Sequence, residues 1–160
     1  MTPDDIALVQ ESFNKVVPIA ATAADLFYDR LFVIAPEFRP LFPQDLREQK
    51  MKLIAMLATV VGNLHQLGAM MPGVEDLGRR HVSYGVTADH YAPVGEALLW
   101  TLEQGLGTDF TPVVKEAWTG AYLTMSGAMK KAGAESVAPP LAASDRAMFE
   151  QHRSDASRAL

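Results

Sequence analysis

The stretch Leu77-Gly-Arg-Arg-His-Val-Ser-Tyr-Gly-Val, residues 77–86, places a histidine, His81, in a segment with helical spacing. Leu77 lies one turn before His81 and Gly85 one turn after it, so the imidazole leaves the helix from an apolar face. Gly85 is expected to end this helix, because glycine is common just after the last helical residue. Taken alone, a histidine in such a place is more often a structural residue than a metal ligand. The rest of the sequence therefore has to decide between these two roles.

The composition limits the kind of protein that surrounds this segment. The 160 residues suit one domain, and 49% hydrophobic with 21% charged residues is an ordinary globular balance. The formal net charge of −5 argues against a protein that binds the phosphate backbone of nucleic acids. Because the chain has no cysteine, disulfides, thiolate metal sites and thioether-attached haem are excluded.

Targeting and membrane signals are not apparent. No run reaches the roughly 18 apolar residues that a membrane-spanning helix needs. The first residues, Met1-Thr-Pro-Asp-Asp, lack the basic region and apolar run of a signal peptide. We therefore expect a cytoplasmic protein with neither a nucleic-acid nor a membrane partner.

Helical periodicity extends over most of the chain, and alternating strand-like runs are rare. Thr2 followed by Pro3 predicts the start of a first helix, and Pro18 predicts its end near Val17. The three prolines of Pro36-Glu-Phe-Arg-Pro-Leu-Phe-Pro predict a tight corner after a second helix. That second helix has one apolar face, formed by Ala23, Leu26, Phe27, Leu31 and Ile34.

Four further helices are predicted, at about residues 46–66, 74–84, 88–105 and 111–131. The segment Met70-Met-Pro-Gly is expected to separate the first two of them, and Gly105-Leu-Gly-Thr-Asp-Phe the last two.

We expect one domain over residues 1–133 and a polar C-terminal extension over residues 134–160. The extension is either a frayed terminus, with a short helix near residues 144–152, or a contact with a partner or a second copy.

Several segments, in the right order and at compatible spacing, make residues 4 to about 132 similar to the globin family. The likeness is greatest to bacterial single-domain haemoglobins, neuroglobin-like chains and the globin part of flavohaemoglobins. Residues 77–86 resemble the helix of the proximal histidine, and His90-Tyr-Ala-Pro-Val-Gly-Glu-Ala-Leu-Leu resembles the next helix. Phe27-Tyr-Asp-Arg-Leu-Phe, Pro36-Glu-Phe-Arg-Pro-Leu-Phe and Ala117-Trp118 with Tyr122 resemble the second helix, its corner and the last helix. The resemblance implies an all-α globin fold of about seven helices, packed three on three around a non-covalent b-type haem.

The resemblance also implies roles for particular residues around the haem. His81 would be the iron ligand, a role that requires a neutral imidazole whose other nitrogen donates to a fixed acceptor. In a helix the Leu77 carbonyl is the natural acceptor, and the resemblance places the Tyr91 hydroxyl near the same imidazole. Phe42 would pack against the porphyrin, although the residues alone explain it equally well as a core anchor. Four apolar residues are expected to line the faces of the ring: Leu53 and Val86 and, as weaker candidates, Leu98 and Leu102. Without the resemblance, all four would be ordinary core residues.

Two residues are expected on the side where a gas binds. Tyr28 matches the tyrosine that many bacterial globins direct at the ligand, and Gln49 matches the distal position on the next long helix. The alternatives are a tyrosine buried for packing and an exposed glutamine within the polar run Arg47-Glu-Gln-Lys. A Tyr28 hydroxyl and a Gln49 amide can both donate to negatively polarised dioxygen, and each such bond contributes about 1.5–3 kcal/mol. Tight binding with slow release at a five-coordinate iron is therefore expected.

A few polar and sulfur-containing residues have less certain roles. Arg80 and Lys52 are candidate partners of the haem propionates, and a solvated charged face explains each of them equally well. Met51, Met56 and Lys52 share a helix with Gln49 and are alternative iron ligands.

Reversible dioxygen binding, for storage, delivery or scavenging, is the leading interpretation, with carbon monoxide and nitric oxide as further ligands. One alternative is nitric oxide dioxygenation with a separate reductase, and another is a haem-based redox or gas sensor. Flavohaemoglobin globin modules carry a glutamate near the position of Gly133, whereas the nearest carboxylate here, Glu135, is two residues away. This departure favours oxygen binding over the enzyme. A monomer or homodimer is expected.

Overall fold

Six α-helices make up most of residues 1–136, the part of the chain that this computed structural model describes. No strand occurs within this part, so the prediction of an all-α protein is confirmed. Short 3₁₀ turns connect the helices at Val17–Ile19, Pro36–Leu41, Leu64–Gln66, Ala88–His90 and Gly107–Asp109. The helices are α1 Pro3–Val16, α2 Ala20–Ile34, α3 Arg47–Gly62, α4 Leu67–Ser83, α5 Tyr91–Leu106 and α6 Pro112–Ser136.

Local sequence signals account for four of the helix ends. The Thr2 side chain accepts a hydrogen bond from the Asp5 N–H, and the Asp5 carboxylate accepts one from the Thr2 N–H, which forms a capping box. Pro18 follows the end of α1 within a 3₁₀ turn, as predicted. Gly85 and Gly107 adopt positive φ angles of 88° and 57° after the ends of α4 and α5, a conformation that favours glycine.

The predicted interruption at Met70-Met-Pro-Gly is wrong. Helix α4 starts at Leu67 and continues through Pro72 and Gly73 to Ser83. Pro72 removes one backbone hydrogen bond, which would have gone to the carbonyl of Gly68. Gly68 is exposed in the first turn of α4, so water can replace the missing donor there. The actual break comes earlier, where α3 ends at Gly62 and the chain bends by 60°.

The last helix is longer than predicted and continues to Ser136, the last described residue, beyond the expected domain boundary at residue 133. The predicted short helix at residues 144–152 lies outside the described residues. Within residues 1–136, no single helix is long and apolar enough to cross a membrane, and only α3 and α4 together, as a bent pair, have the required length and composition.

Two pairs of helices form the framework of the core. Helix α4 packs along α6, and α2 packs against α5, while α1 lies across α6. The α4–α6 approach is very close at Gly78, where an added Cβ would lie 2.4 Å from the Met129 carbonyl oxygen. At Gly133 an added Cβ would lie 2.7 Å from Val82 Cγ2. These contacts hold the helix that carries His81 against the longest helix of the described chain.

Candidate functional site

An apolar cavity lies inside the helical framework. Its volume is about 160 Å³, counted as the space that the centre of a water molecule could occupy. The wall residues come from all six helices and from the connections on either side of α3 and α4. Six residues that the sequence placed at the site line the same cavity: His81, Phe42, Leu53, Val86, Tyr91 and Leu98. The fold therefore brings these predicted residues together around one space. Leu102 is buried in the core but is not part of the wall.

His81 is the buried imidazole in this wall. It is 2% exposed, and its Nδ1 lies 2.7 Å from the Leu77 carbonyl oxygen one turn earlier in α4. A carbonyl can only accept, so this contact puts the proton on Nδ1 and leaves Nε2 with a free lone pair. Burial lowers the pKa of His81, against the effect of the Leu77 hydrogen bond, and the neighbouring Arg80 charge lowers it further. A neutral imidazole with one nitrogen fixed is the form that binds a metal.

Phe42 and Val86 enter the cavity from the connections between helices. Phe42 follows the Pro36–Leu41 turn, and its N–H donates to the Arg39 carbonyl at 3.1 Å. Val86 follows α4, and its N–H donates to the His81 carbonyl at 3.0 Å. In each connection, a main-chain hydrogen bond joins the residue to the preceding turn or helix. Phe42 and Val86 are therefore held in place although neither belongs to an α-helix.

Tyr91 is the first residue of α5 and also lines the cavity. The Tyr122 hydroxyl donates to its carbonyl, the Lys130 ammonium lies 5.6 Å from its ring centre, and burial raises its pKa. No hydrogen bond joins Tyr91 to His81 within residues 1–136. A direct role of the Tyr91 hydroxyl on the imidazole therefore stays a prediction.

Tyr28 and Gln49 are buried but do not belong to the cavity wall. They are 1% and 2% exposed, so the alternative of an exposed glutamine is wrong. The Tyr28 ring is 5.0 Å from the Phe27 ring and 5.7 Å from the Phe42 ring, centre to centre, both edge-on. Tyr28 therefore packs against two residues of the wall, Phe27 and Phe42.

The Tyr28 hydroxyl is a buried hydrogen-bond donor. Its neighbour is the Gln49 side chain, whose hydrogen bond lowers the pKa of Tyr28. Burial is the stronger effect and raises the pKa of Tyr28 to about 12, so the hydroxyl keeps its proton at neutral pH. The protonated hydroxyl is therefore a buried donor that can serve Gln49 or a ligand that accepts a hydrogen bond.

The charged candidates lie beside the cavity. Lys52 and Arg80 line a second, open cleft that shares four residues with the cavity: Met56, Val60, Val74 and Leu77. Lys52 Nζ is 3.8 Å from Glu48 Oε1, and its role toward a propionate stays a prediction, as does that of Arg80. Of the alternative ligands, Met56 lines the cavity, whereas Met51 is 74% exposed and lies outside it.

His90 is a wall residue whose role the sequence did not indicate. Its ring lies 4.6 Å from the Phe38 ring, centre to centre, and its Nδ1 accepts a hydrogen bond from the Thr87 N–H. Burial lowers its pKa, against the effects of Asp89 and Glu37. No local signal could have shown this position, because Phe38 belongs to a turn about fifty residues earlier in the chain.

The residues present fit a haem better than a bare metal ion. Within residues 1–136, no group of three His, Cys, Asp or Glu side chains could hold a metal directly. The cavity supplies one neutral imidazole in an almost wholly apolar wall, which suits a metal that arrives in a large apolar cofactor. The buried Tyr28 hydroxyl adds a donor near the Phe42 side of that space.

Comparisons with known proteins agree with this site. The family model described as Globin matches residues 25–129. The Flavohemoprotein of Bacillus subtilis is 34% identical over 119 residues, which are 70% of this chain and 30% of that protein. The Flavohemoprotein of Bordetella parapertussis is 32% identical over 125 residues, 76% of this chain and 31% of that protein. The chain thus spans about a third of the length of these curated relatives.

A solved structure supports the same fold. It is an engineered carbene transferase made from a putative nitric oxide dioxygenase of Rhodothermus marinus, and it is 24% identical to this chain. The match covers 84% of this chain and 94% of the other with a TM-score of 0.74, which shows a shared fold. From the helical framework, the buried imidazole in an apolar cavity and a family match over residues 25–129, we conclude that this chain belongs to the globin family.

Proposed function

We propose that this globin holds a non-covalent haem b and binds dioxygen reversibly, for storage, delivery or scavenging. Membership of the globin family supports haem binding. The observation that carries the proposal is the buried His81 imidazole in the wall of an apolar cavity, with Nδ1 fixed on the Leu77 carbonyl at 2.7 Å. This arrangement leaves Nε2 as the nitrogen for iron.

Haem would supply an iron atom with a free coordination position for a diatomic gas. The protein would hold the haem, exclude water from the site and polarise the gas. His81 would supply a nitrogen to the iron, and the Leu77 carbonyl keeps the imidazole neutral and oriented. Phe42, Leu53 and the other apolar wall residues exclude water from the site.

Tyr28 and Gln49 would set how long the gas stays bound. The haem iron would polarise dioxygen more than carbon monoxide, so dioxygen would be the better acceptor of a hydrogen bond from either residue. The high pKa of Tyr28, about 12, keeps its hydroxyl available as a donor, and the Gln49 amide lies beside it. One bond of about 1.5–3 kcal/mol slows dioxygen loss by roughly ten- to a hundredfold.

The proposal is tested by stopped-flow measurement of dioxygen and carbon monoxide dissociation from the hemin-loaded, reduced protein. Tyr28→Phe is expected to release dioxygen about ten- to a hundredfold faster, with a much smaller change for carbon monoxide. Tyr84→Phe is the matched control, because it removes the same hydroxyl group from a residue outside the cavity wall. An unchanged dioxygen rate in Tyr28→Phe would remove the proposed role of this residue.

Nitric oxide dioxygenation is the second candidate, because the buried Tyr28 and Gln49 pair would serve it as well as reversible dioxygen binding. This function needs an electron donor, which we propose to be a separate reductase. Two observations favour dioxygen binding over the enzyme. His81 Nδ1 donates to a neutral carbonyl and not to a carboxylate, and Glu135, the carboxylate nearest to the position of the flavohaemoglobin glutamate, is exposed. Sustained nitric oxide consumption by the globin with a cellular reductase and reduced nicotinamide would establish the enzyme. A sensor function would depend on residues that lie outside the described part of the chain.

A further inference from the structure

Arg39 closes the corner that carries Phe42. Its guanidinium donates to three successive carbonyls, those of Phe42 at 3.3 Å, Pro43 at 2.8 Å and Gln44 at 3.0 Å. The Arg39 carbonyl in turn accepts the Phe42 N–H at 3.1 Å. Residues 39–44 are therefore joined into a small ring through both the main chain and the side chain of Arg39.

This corner needs such a donor because it has no regular helical hydrogen bonds. Residues 42–45 lie between the 3₁₀ turn and the first residue whose carbonyl bonds into α3, so their carbonyls lack the partners that a continuing helix would supply. A guanidinium presents several N–H groups in one plane and can serve neighbouring carbonyls at once. Within residues 1–136, Arg39 forms no ion pair, so its hydrogen bonds go to this corner.

The same guanidinium also contacts a group of aromatic residues that includes Phe42 of the cavity wall. Its carbon lies 5.2 Å from the centre of the Phe32 ring. The Phe32 ring is 5.6 Å from Phe42 and 6.1 Å from Tyr28, and Tyr28 is 5.7 Å from Phe42, centre to centre. These three residues, Tyr28, Phe32 and Phe42, form an aromatic triad in which every ring contacts the other two.

Arg39 thus holds the triad at two points, by hydrogen bonds to the Phe42 main chain and by a cation–π contact with Phe32. The third member, Tyr28, carries the buried hydroxyl described above. The Phe42 ring packs edge-on against both Tyr28 and Phe32, and the Phe32 ring is tilted by 35° to the Tyr28 ring. A shift of Phe42 or Phe32 would therefore turn the Tyr28 ring and move its hydroxyl. Arg39 itself is not part of the cavity wall.

We propose that Arg39 is a positioning residue for the distal side of this site. It fixes Phe42 and Phe32 and, through them, the direction in which the Tyr28 hydroxyl donates. It thereby controls the retention of the gas without touching gas or cofactor. This inference rests on the proposed function for its kinetic consequence, whereas the structural part can be measured without haem.

The kinetic test uses Arg39→Met, which keeps the length of the side chain and removes its charge and donors. In the hemin-loaded, reduced protein, dioxygen dissociation is expected to rise about three- to tenfold, because the Tyr28 hydrogen bond is weakened but not removed. In a Tyr28→Phe background, the same substitution should change the rate by less than about 1.5-fold, since interacting residues are not additive. An equal increase in both backgrounds would overturn the proposal.

Two further variants test whether the effect depends on the location of Arg39 in the corner or only on its positive charge. Arg30→Met is the matched control, because Arg30 lies 5.1 Å over the Trp100 ring and makes the same kind of ring contact away from the corner. It should leave dioxygen dissociation unchanged. Arg39→Lys keeps the charge without the planar set of donors, and it should recover less than about half of the effect. Full recovery by lysine, or an equal effect of Arg30→Met, would contradict a positioning role.

The structural test uses the apoprotein and amide hydrogen exchange. The Phe42 N–H, bonded to the Arg39 carbonyl, should exchange at least about tenfold faster in Arg39→Met and at the wild-type rate in Arg30→Met. An unchanged exchange rate at Phe42 in Arg39→Met would overturn the positioning role. Failure of the wild-type protein to take up hemin would instead end the proposed function, and the exchange result would still decide whether Arg39 holds the corner.

Discussion

His81 has two ring nitrogens with different surroundings, and this difference defines the site at the scale of single residues. Nδ1 is held by the Leu77 carbonyl, one turn away on the same helix, while the ring borders an apolar cavity. Burial lowers the pKa of His81, so Nε2 carries a lone pair at neutral pH. The side chain can therefore bind a metal without first losing a proton.

Replacing this imidazole should abolish tight cofactor binding. In metal sites, loss of a group that only orients a ligand already costs roughly 10–100-fold in affinity. We expect His81→Ala to release hemin more than tenfold faster than wild type and to lose the wild-type absorption spectrum, measured by transfer of hemin to an excess of an apo-acceptor. His65→Ala, at an exposed histidine outside the cavity, should behave as wild type. Unaltered spectra and hemin retention in His81→Ala would refute the assignment.

At the scale of elements, the α4–α6 contact sets the position of the helix that carries His81. Glycine at position 78 lets the α4 backbone reach the Met129 carbonyl, and glycine at position 133 makes room for Val82. Any side chain at position 78 would meet main-chain atoms of α6, which cannot rotate away as a side chain can. The two helices would then have to separate.

Gly78→Ala should destabilise the apoprotein, since its Cβ would lie 2.4 Å from the Met129 carbonyl oxygen. Overpacking of this kind costs about 1–3 kcal/mol. Gly73→Ala is the matched control in the same helix, because nothing lies within 4 Å of an added Cβ there. It should leave stability unchanged or raise it by up to about 1 kcal/mol, since alanine is the better helix former. Urea unfolding midpoints compare the two, and equal shifts would contradict this description of the helix contact.

At the scale of the whole molecule, a buried hydrogen-bond network joins the two ends of the described chain. Trp118 Nε1 in α6 donates to Ser12 Oγ in α1 at 2.8 Å, and Ser12 Oγ donates to the Leu8 carbonyl at 2.6 Å. The Phe13 ring lies 6.3 Å from the Trp118 ring, centre to centre. Since Trp118 also lines the cavity, this network connects the N-terminal helix with the site.

Ser12→Ala should leave the Trp118 N–H buried without an acceptor, which costs about 1–3 kcal/mol of unfolding free energy. Adding Trp118→Phe to this variant should cost less than Trp118→Phe costs in the wild-type protein, because the unpaired donor is then removed. Ser83→Ala, which loses only a bond to the Arg80 carbonyl at a helix end, is the control. Additive losses for Ser12 and Trp118, measured by urea unfolding, would show that the bond does not couple the two helices.

Signals within one or two turns were readable from the sequence. The Thr2 cap, the Pro18 and Gly85 helix ends and the Leu77 acceptor all depend on atoms no more than four residues apart. Pro72 was misread because its cost depends on whether water reaches the Gly68 carbonyl, which is a matter of exposure. The prediction that Leu53, Val86 and Leu98 line the site came from the resemblance to globins. Helical spacing alone indicates only that these residues are buried.

By itself, the sequence determined the all-α class, most helix boundaries and the local geometry of the His81 imidazole. The tertiary structure decided that Gln49 is buried, that His90 meets Phe38, and that Arg39 joins the corner to the aromatic triad. It also decided that the Tyr28 ring packs against Phe27 and Phe42 of the cavity wall. The physical reason is range: capping and i, i+4 hydrogen bonds form within a single turn, whereas burial and cavities arise where segments far apart in the chain pack against one another.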